Sequence, residues 1–317
     1  MGASSGKKES VKERRKRMMS SEGYRGDLKL TEQDVYMYVQ AKGSNALSLV
    51  AAFESTRDKD YLKAAAEKFP TDPFVQAKAL MWLDLSEAER AKLIEDFKRS
   101  APTNSFANFL AAQAAMKRGD LKTALSEIAA TQGKGYDEYF RDSVQGLQDA
   151  YSFAGYSEAE AKALGSSEIT LPHLAQLKAL GRQFVEIASQ AASETDTKGQ
   201  QEFLMANWQI GQQLRSNTES VPMITELVGV VIENLTLSRW PSGTTFDGQL
   251  PAKLEGDNSS SARELRSMTP MFAKWFYDAP DQEIVTFMDI QKAAGERQAY
   301  IWLKQQHPEL VQVQLTN

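Results

Sequence analysis

The hexapeptide Phe69-Pro70-Thr71-Asp72-Pro73-Phe74 returns 32 residues later as Ala101-Pro102-Thr103-Asn104-Ser105-Phe106, and an Ala-rich stretch follows each copy. A Pro at that place ends a helix, because it donates no amide hydrogen and its ring clashes with the preceding turn. The Asp or Asn two residues on caps the next helix by accepting from its free amides. Self-similarity at this period marks stacked helical hairpins, each too small to bury its apolar face alone.

The remaining chain also reads as helical, since apolar residues recur at spacings of three and four and no stretch alternates in the manner of a strand. Tyr136, Tyr139, Phe140, Val144, Leu147, Tyr151 and Ala154 share one stripe, which Gly155 can end. Leu174, Leu177, Leu180, Phe184, Ile187 and Ala191 form another, and Phe203, Ala206, Ile210 and Leu214 a third that stops near Ser216. Ser86 with Glu89, and Ser157 with Glu160, have the spacing of capping boxes.

These signals divide the chain into a disordered, mobile basic arm without an apolar face over 1–27, helical hairpins over 28–134 and longer helices over 135–238. The longer helices are either a bundle or divergent repeats. An irregular loop follows over 239–261, where Pro and Gly gather, and capping helices over 262–317, the last running from about Asp281 to Gln305. The aromatic group Trp240, Trp275, Phe276 and Tyr277 flanks the loop and reads as the covered end of a helical stack rather than as a docking surface.

Residues 46 to 131 resemble the tetratricopeptide repeat family. Ala112 takes the small position where paired helices touch, Gly119-Asp120 makes the turn, and Ala124 and Ile128 follow as the second helix requires; Leu62, Ala65 and Pro70 fit the end of the preceding unit. The chain departs from the family at Asn108 and Ala115, where Trp and Tyr are common, and at Glu87, where the turn usually has Gly. The resemblance implies an all-α fold, an α-α superhelix of hairpins continuing into longer helices. It also implies a non-catalytic scaffold that holds a protein or peptide in a concave groove lined by the first helix of each hairpin. Those positions are Phe74, Ala77, Met81 and Asp84 in one unit, and Phe106, Phe109, Gln113, Met116 and Lys117 in the next. The chain also broadly resembles helical-repeat proteins of bacteria, which implies no particular activity.

Composition narrows the chemistry. The chain has 317 residues, no Cys and two His, far apart at His173 and His307, so thiol catalysis and Cys-ligated metals are excluded and no metal or cofactor site is expected. Each His reads as a solvated or capping residue. Acidic pairs occur at Asp58 and Asp60, Glu87 and Glu89, Asp137 and Glu138, and Asp278 and Asp281, but none is joined by a nucleophile, a His or a Gly-rich turn. The chain is therefore not expected to be an enzyme. The main alternative is an enzyme, or its accessory subunit, acting on cell-wall glycans, since α-superhelices resemble the non-catalytic body of some lytic enzymes. That reading requires a carboxyl of raised pKa in a large pocket.

Lys12, Arg14, Arg15, Lys16 and Arg17, with Lys7 and Lys8, face only Glu9 and Glu13, although the whole chain carries a net charge of −5. A second alternative is thus an adaptor whose arm touches nucleic acid or an anionic membrane. No apolar core of a signal peptide follows the arm, so the cytoplasm is the default compartment; a bacterial cell-envelope location would require an upstream export or anchor segment.

Overall fold

The computed structural model describes residues 10–18, 28–241, 243–246 and 248–312. The fold is all-α: among these residues the only β pairings are the isolated bridges Asn104 with Gly135 and Phe246 with Gln249. The first half comprises α1 (Val11–Met18), α2 (Glu32–Ala41), α3 (Ala46–Thr56), α4 (Lys59–Lys68), α5 (Pro73–Trp82), α6 (Glu87–Ser100), α7 (Phe106–Lys117) and α8 (Leu121–Ala129). From α2 to α8 each helix packs on the next, so the hairpins stack. The 32-residue echo is present in the backbone: Phe69, ending α4, has φ −129° and ψ 58°, and Ala101, ending α6, has φ −132° and ψ 65°. Each precedes a Pro, which drives the preceding residue out of the helical region. Asp72 then accepts from the amides of Phe74 and Val75, and Asn104 from that of Phe106.

Longer helices follow: α9 (Phe140–Phe153), α10 (Glu158–Ser167), α11 (Pro172–Ser193), α12 (Thr197–Ser216), α13 (Met223–Leu237) and α14 (Pro251–Phe276). The chain closes with α15 (Asp281–Ala294), α16 (Glu296–Gln306) and the single turn α17 (Glu309–Gln312). The two capping boxes are formed, Ser86 with Glu89 and Ser157 with Glu160. Helices α12 and α13 approach closely because Gly211 and Gly229 face each other: a Cβ on Gly229 would stand 2.8 Å from the Gly211 carbonyl oxygen. One apolar core joins α2–α5 to α9, α10 and the C-terminal helices, and a second joins α5–α8 to α11–α13.

Three sequence expectations are corrected. The irregular stretch is shorter than 239–261, since α14 begins at Pro251, where the ring suits the first helical position. Its polar first half is held by Asn258, which accepts from Arg215 and donates to Asn234. The last long helix is two helices: Gly295 separates α15 from α16 with φ +90°, and a Cβ there would lie 2.4 Å from the Thr218 carbonyl oxygen. The expected arm contains a docked helix. Arg15 of α1 is 7% exposed and donates to the carbonyls of Phe276 and Ala279 and to Asp281. Arg14 pairs with Glu160, Lys12 with Asp278, and Lys16 lies 5.9 Å from the Tyr277 ring. Cations suit this place because the free carbonyls at the C-terminus of α14 are partially negative. Lys7, Lys8 and the rest of 1–9 and 19–27 lie outside the described residues.

Candidate functional site

Of the nine residues in or just after α5 and α7 expected to line an open groove, the aromatic ones and Ala77 are covered by the chain itself. Phe74, Ala77, Phe106 and Phe109 are buried, with Ala77, Phe106 and Phe109 fully so. Phe74 lies 6.1 Å from the Tyr139 ring, Phe109 5.9 Å from that of Tyr136, and Phe106 4.9 Å from the ring of His173. Met81, Gln113 and Met116 are half-buried, Lys117 is exposed, and exposed Asp84 pairs with Lys59. The physical reason is that α7 buries side chains all round, Phe106, Ala107, Phe109, Leu110, Ala112 and Ala115, and such a helix is stable only when covered on every side. Phe109→Ala is therefore expected to lower unfolding stability by about 3–5 kcal/mol, the usual result of emptying a buried Phe site. Urea unfolding measures this; a change below about 1 kcal/mol would mean that Phe109 faces solvent.

An apolar-lined concavity lies elsewhere. A cleft of about 430 Å³ opens where α10, α13, α14, α15 and α16 converge. Met223, Ile224 and Leu227 of α13 form one wall; Leu265 and Phe272 of α14 with Phe287 and Met288 of α15 form the opposite one. Volume and lining both fit the range of natural ligand sites, which are largely apolar with a few polar groups. Here the polar groups are Ser166, Ser167, Arg266, Thr269, Gln291 and Glu296. One carboxylate oxygen of Glu296 accepts from the Met223 amide at 2.7 Å, at the positive N-terminus of α13. Burial nevertheless raises its pKa above the ordinary value, outweighing that hydrogen bond. Tyr300 beside it is also raised, by burial first and by the nearby Glu296 charge second.

Behind the cleft, the first turn of α13 is anchored by a buried polar cluster. Glu138 accepts from Thr225 Oγ1 at 2.6 Å, from Tyr136 Oη at 3.1 Å and from His173 Nε2, and all four residues are at most 1% exposed. His173 is thus neither solvated nor a cap, in contrast to the sequence expectation; its Nδ1 is buried without a partner. Burial raises the Tyr136 hydroxyl well above its ordinary pKa, helped by the Glu138 charge. Burial also pushes Asp137 up to about 6, against the lowering effect of the Tyr139 amide it accepts from.

The acidic pairs noted in the sequence have local roles. Asp58 caps α4, Glu89 completes a capping box, and Asp278 and Asp281 receive Lys12 and Arg15. His307 lies between Glu283 and Glu309, at 2.9 and 3.1 Å. Trp275 and Phe276 are buried in one core, whereas Trp240 packs on Phe246 and belongs to the other, so the four flanking aromatics are not one surface. No group of His, Asp and Glu able to hold a metal ion exists among the described residues, and no described helix is long and apolar enough to cross a membrane.

No family model, curated protein or solved structure matches the chain. The cleft therefore has to be interpreted from its own chemistry.

Proposed function

We propose that the chain is a non-catalytic scaffold that binds an apolar segment of a protein or peptide in the cleft between α13 and α14–α16. The observation that carries this reading is the lining: Met223, Met288, Leu227, Leu265 and Phe272 offer adaptable apolar contact area, while Ser, Thr and Gln at the margin match a peptide backbone. Ile224, 50% exposed on the same wall, extends the apolar surface to the rim. The tetratricopeptide resemblance supports the same class of function at a different place, since the aromatic residues it implicates are covered by the chain itself.

The glycan-enzyme reading draws on one specific feature, the raised carboxyl of Glu296 in a large cleft. Glycoside hydrolysis needs two converging carboxyl groups, and Glu296 is the single carboxyl among the residues lining this cleft. The adaptor reading has less support, because Lys12, Arg14 and Arg15 are already engaged by the fold.

The test is selection of short random peptides on the full chain, followed by binding of the winners to wild type and to Leu227→Trp, which fills the cleft. Apolar winners that lose about tenfold or more in affinity on the variant are expected, the size of one lost buried contact. Winners that bind both proteins equally, or no winners at all, would overturn the proposal. Glycan turnover that disappears in Glu296→Gln would establish the enzyme reading instead.

A further inference from the structure

The polar groups of the cleft say more about its occupant than its apolar walls do. Gln291 lines the cleft, and its carboxamide makes no hydrogen bond with any other described residue. Thr269 stands at the margin, and Pro270 inside α14 deprives the Arg266 carbonyl of the amide four residues on that would normally donate to it. An acyl chain or any other hydrocarbon laid over these groups would strip their water and return no hydrogen bond. A peptide brings both amide donors and carbonyl acceptors.

The charge of the rim points to one end of that peptide. The two charged side chains of the lining are Arg266 and Glu296, and the Glu296 carboxyl is already engaged by the Met223 amide. Two acids of the helices that form the cleft, Glu226 of α13 and Glu264 of α14, are taken: both pair with Arg297, and Glu264 also with Lys304. Arg266 itself is exposed and has no ion-pair partner among the described residues. A cleft of about 430 Å³ is worth roughly fourteen water volumes. That is room for the last few side chains of a chain rather than for a strand passing through.

Building on the peptide-binding proposal, we infer that the cleft receives the C-terminal end of an apolar peptide, its last side chains between Met223 and Met288 and its terminal carboxylate on the Arg266 guanidinium. Guanidinium and carboxylate fit each other through paired N–H donors, which an amidated end cannot reproduce.

The full chain is screened against two libraries of short random peptides, one displayed with free C-termini and one with free N-termini. Enrichment from the first library alone is expected. The winning peptide, synthesised as free acid and as amide, is then titrated calorimetrically at low and high salt. The acid is expected to bind about tenfold more tightly, with the advantage shrinking at high salt and vanishing in Arg266→Gln. Equal enrichment from both libraries, or equal affinity of acid and amide, would overturn the terminal-carboxylate inference and leave the peptide proposal standing. Binding of dodecanoate with no peptide enriched from either library would overturn both.

Discussion

Lys78→Ala is expected to be among the most destabilising single changes in this protein, lowering unfolding stability by about 3–5 kcal/mol. Lys78 of α5 is 0% exposed and its Nζ lies 2.6 Å from Glu54 Oε1 of α3, itself 3% exposed. The second carboxylate oxygen of Glu54 is buried without a partner, so the ammonium is the main group holding that charge in the core. Its removal leaves a carboxylate in a low-dielectric interior, and the penalty is desolvation of an unpaired charge rather than loss of one contact. The two-residue change Lys78→Met with Glu54→Leu separates these causes. Deleting both charges with side chains of similar volume is expected to restore stability to within about 1 kcal/mol of wild type, or to exceed it. Urea midpoints of the three proteins decide the matter. A double variant as weak as Lys78→Ala would show that the pair acts through packing, for instance through the Phe74 ring 5.7 Å from Lys78 Nζ, and not through charge.

That pair also shows where sequence reading stops. The stripes over α11 and α12, both capping boxes and the Pro-centred turns were legible because each is specified by neighbours within about one helical turn. Lys78 and Glu54 meet only through the register of consecutive hairpins, which no local spacing encodes. The same is true of α1 and of the first half of α14. Neither carries an apolar stripe; one is held by Arg15 on the carbonyls at the end of α14, the other by the Asn258 hydrogen bonds to Arg215 and Asn234. The burial of Phe106 and Phe109 on α7 has a signal in the sequence: Phe, Leu and Ala occupy every side of the first turns of that helix, a pattern of burial rather than of an open face. The cleft could not be read at all, since its lining is drawn from Phe140 to Tyr300 and contains no motif.

Glu138 is the other residue whose loss should matter most, because three segments meet on its carboxylate. Tyr136 donates from the loop before α9, His173 from the first turn of α11 and Thr225 from the first turn of α13. The next residue, Tyr139, has left-handed backbone, φ 57° and ψ 36°, an uncommon state for a side chain of its size that requires firm anchoring on both sides. Glu138→Ala strands three buried donors at once and is expected to lower stability by about 3–5 kcal/mol. Thr225→Val removes one neutral partner and should lower it by only about 1–2 kcal/mol. The smaller change is the informative one for function. Thr225 stands next to Ile224 and two residues from Met223, so the Glu138 hydrogen bond fixes the α13 wall of the cleft, as Glu296 does from the opposite side through the Met223 amide. With selected peptides as probes, Thr225→Val is expected to weaken binding several-fold at temperatures where the protein remains fully folded, because a looser wall must be ordered at the moment of binding. Unchanged peptide affinity in that variant would separate the buried cluster from the cleft and assign Glu138 to stability alone.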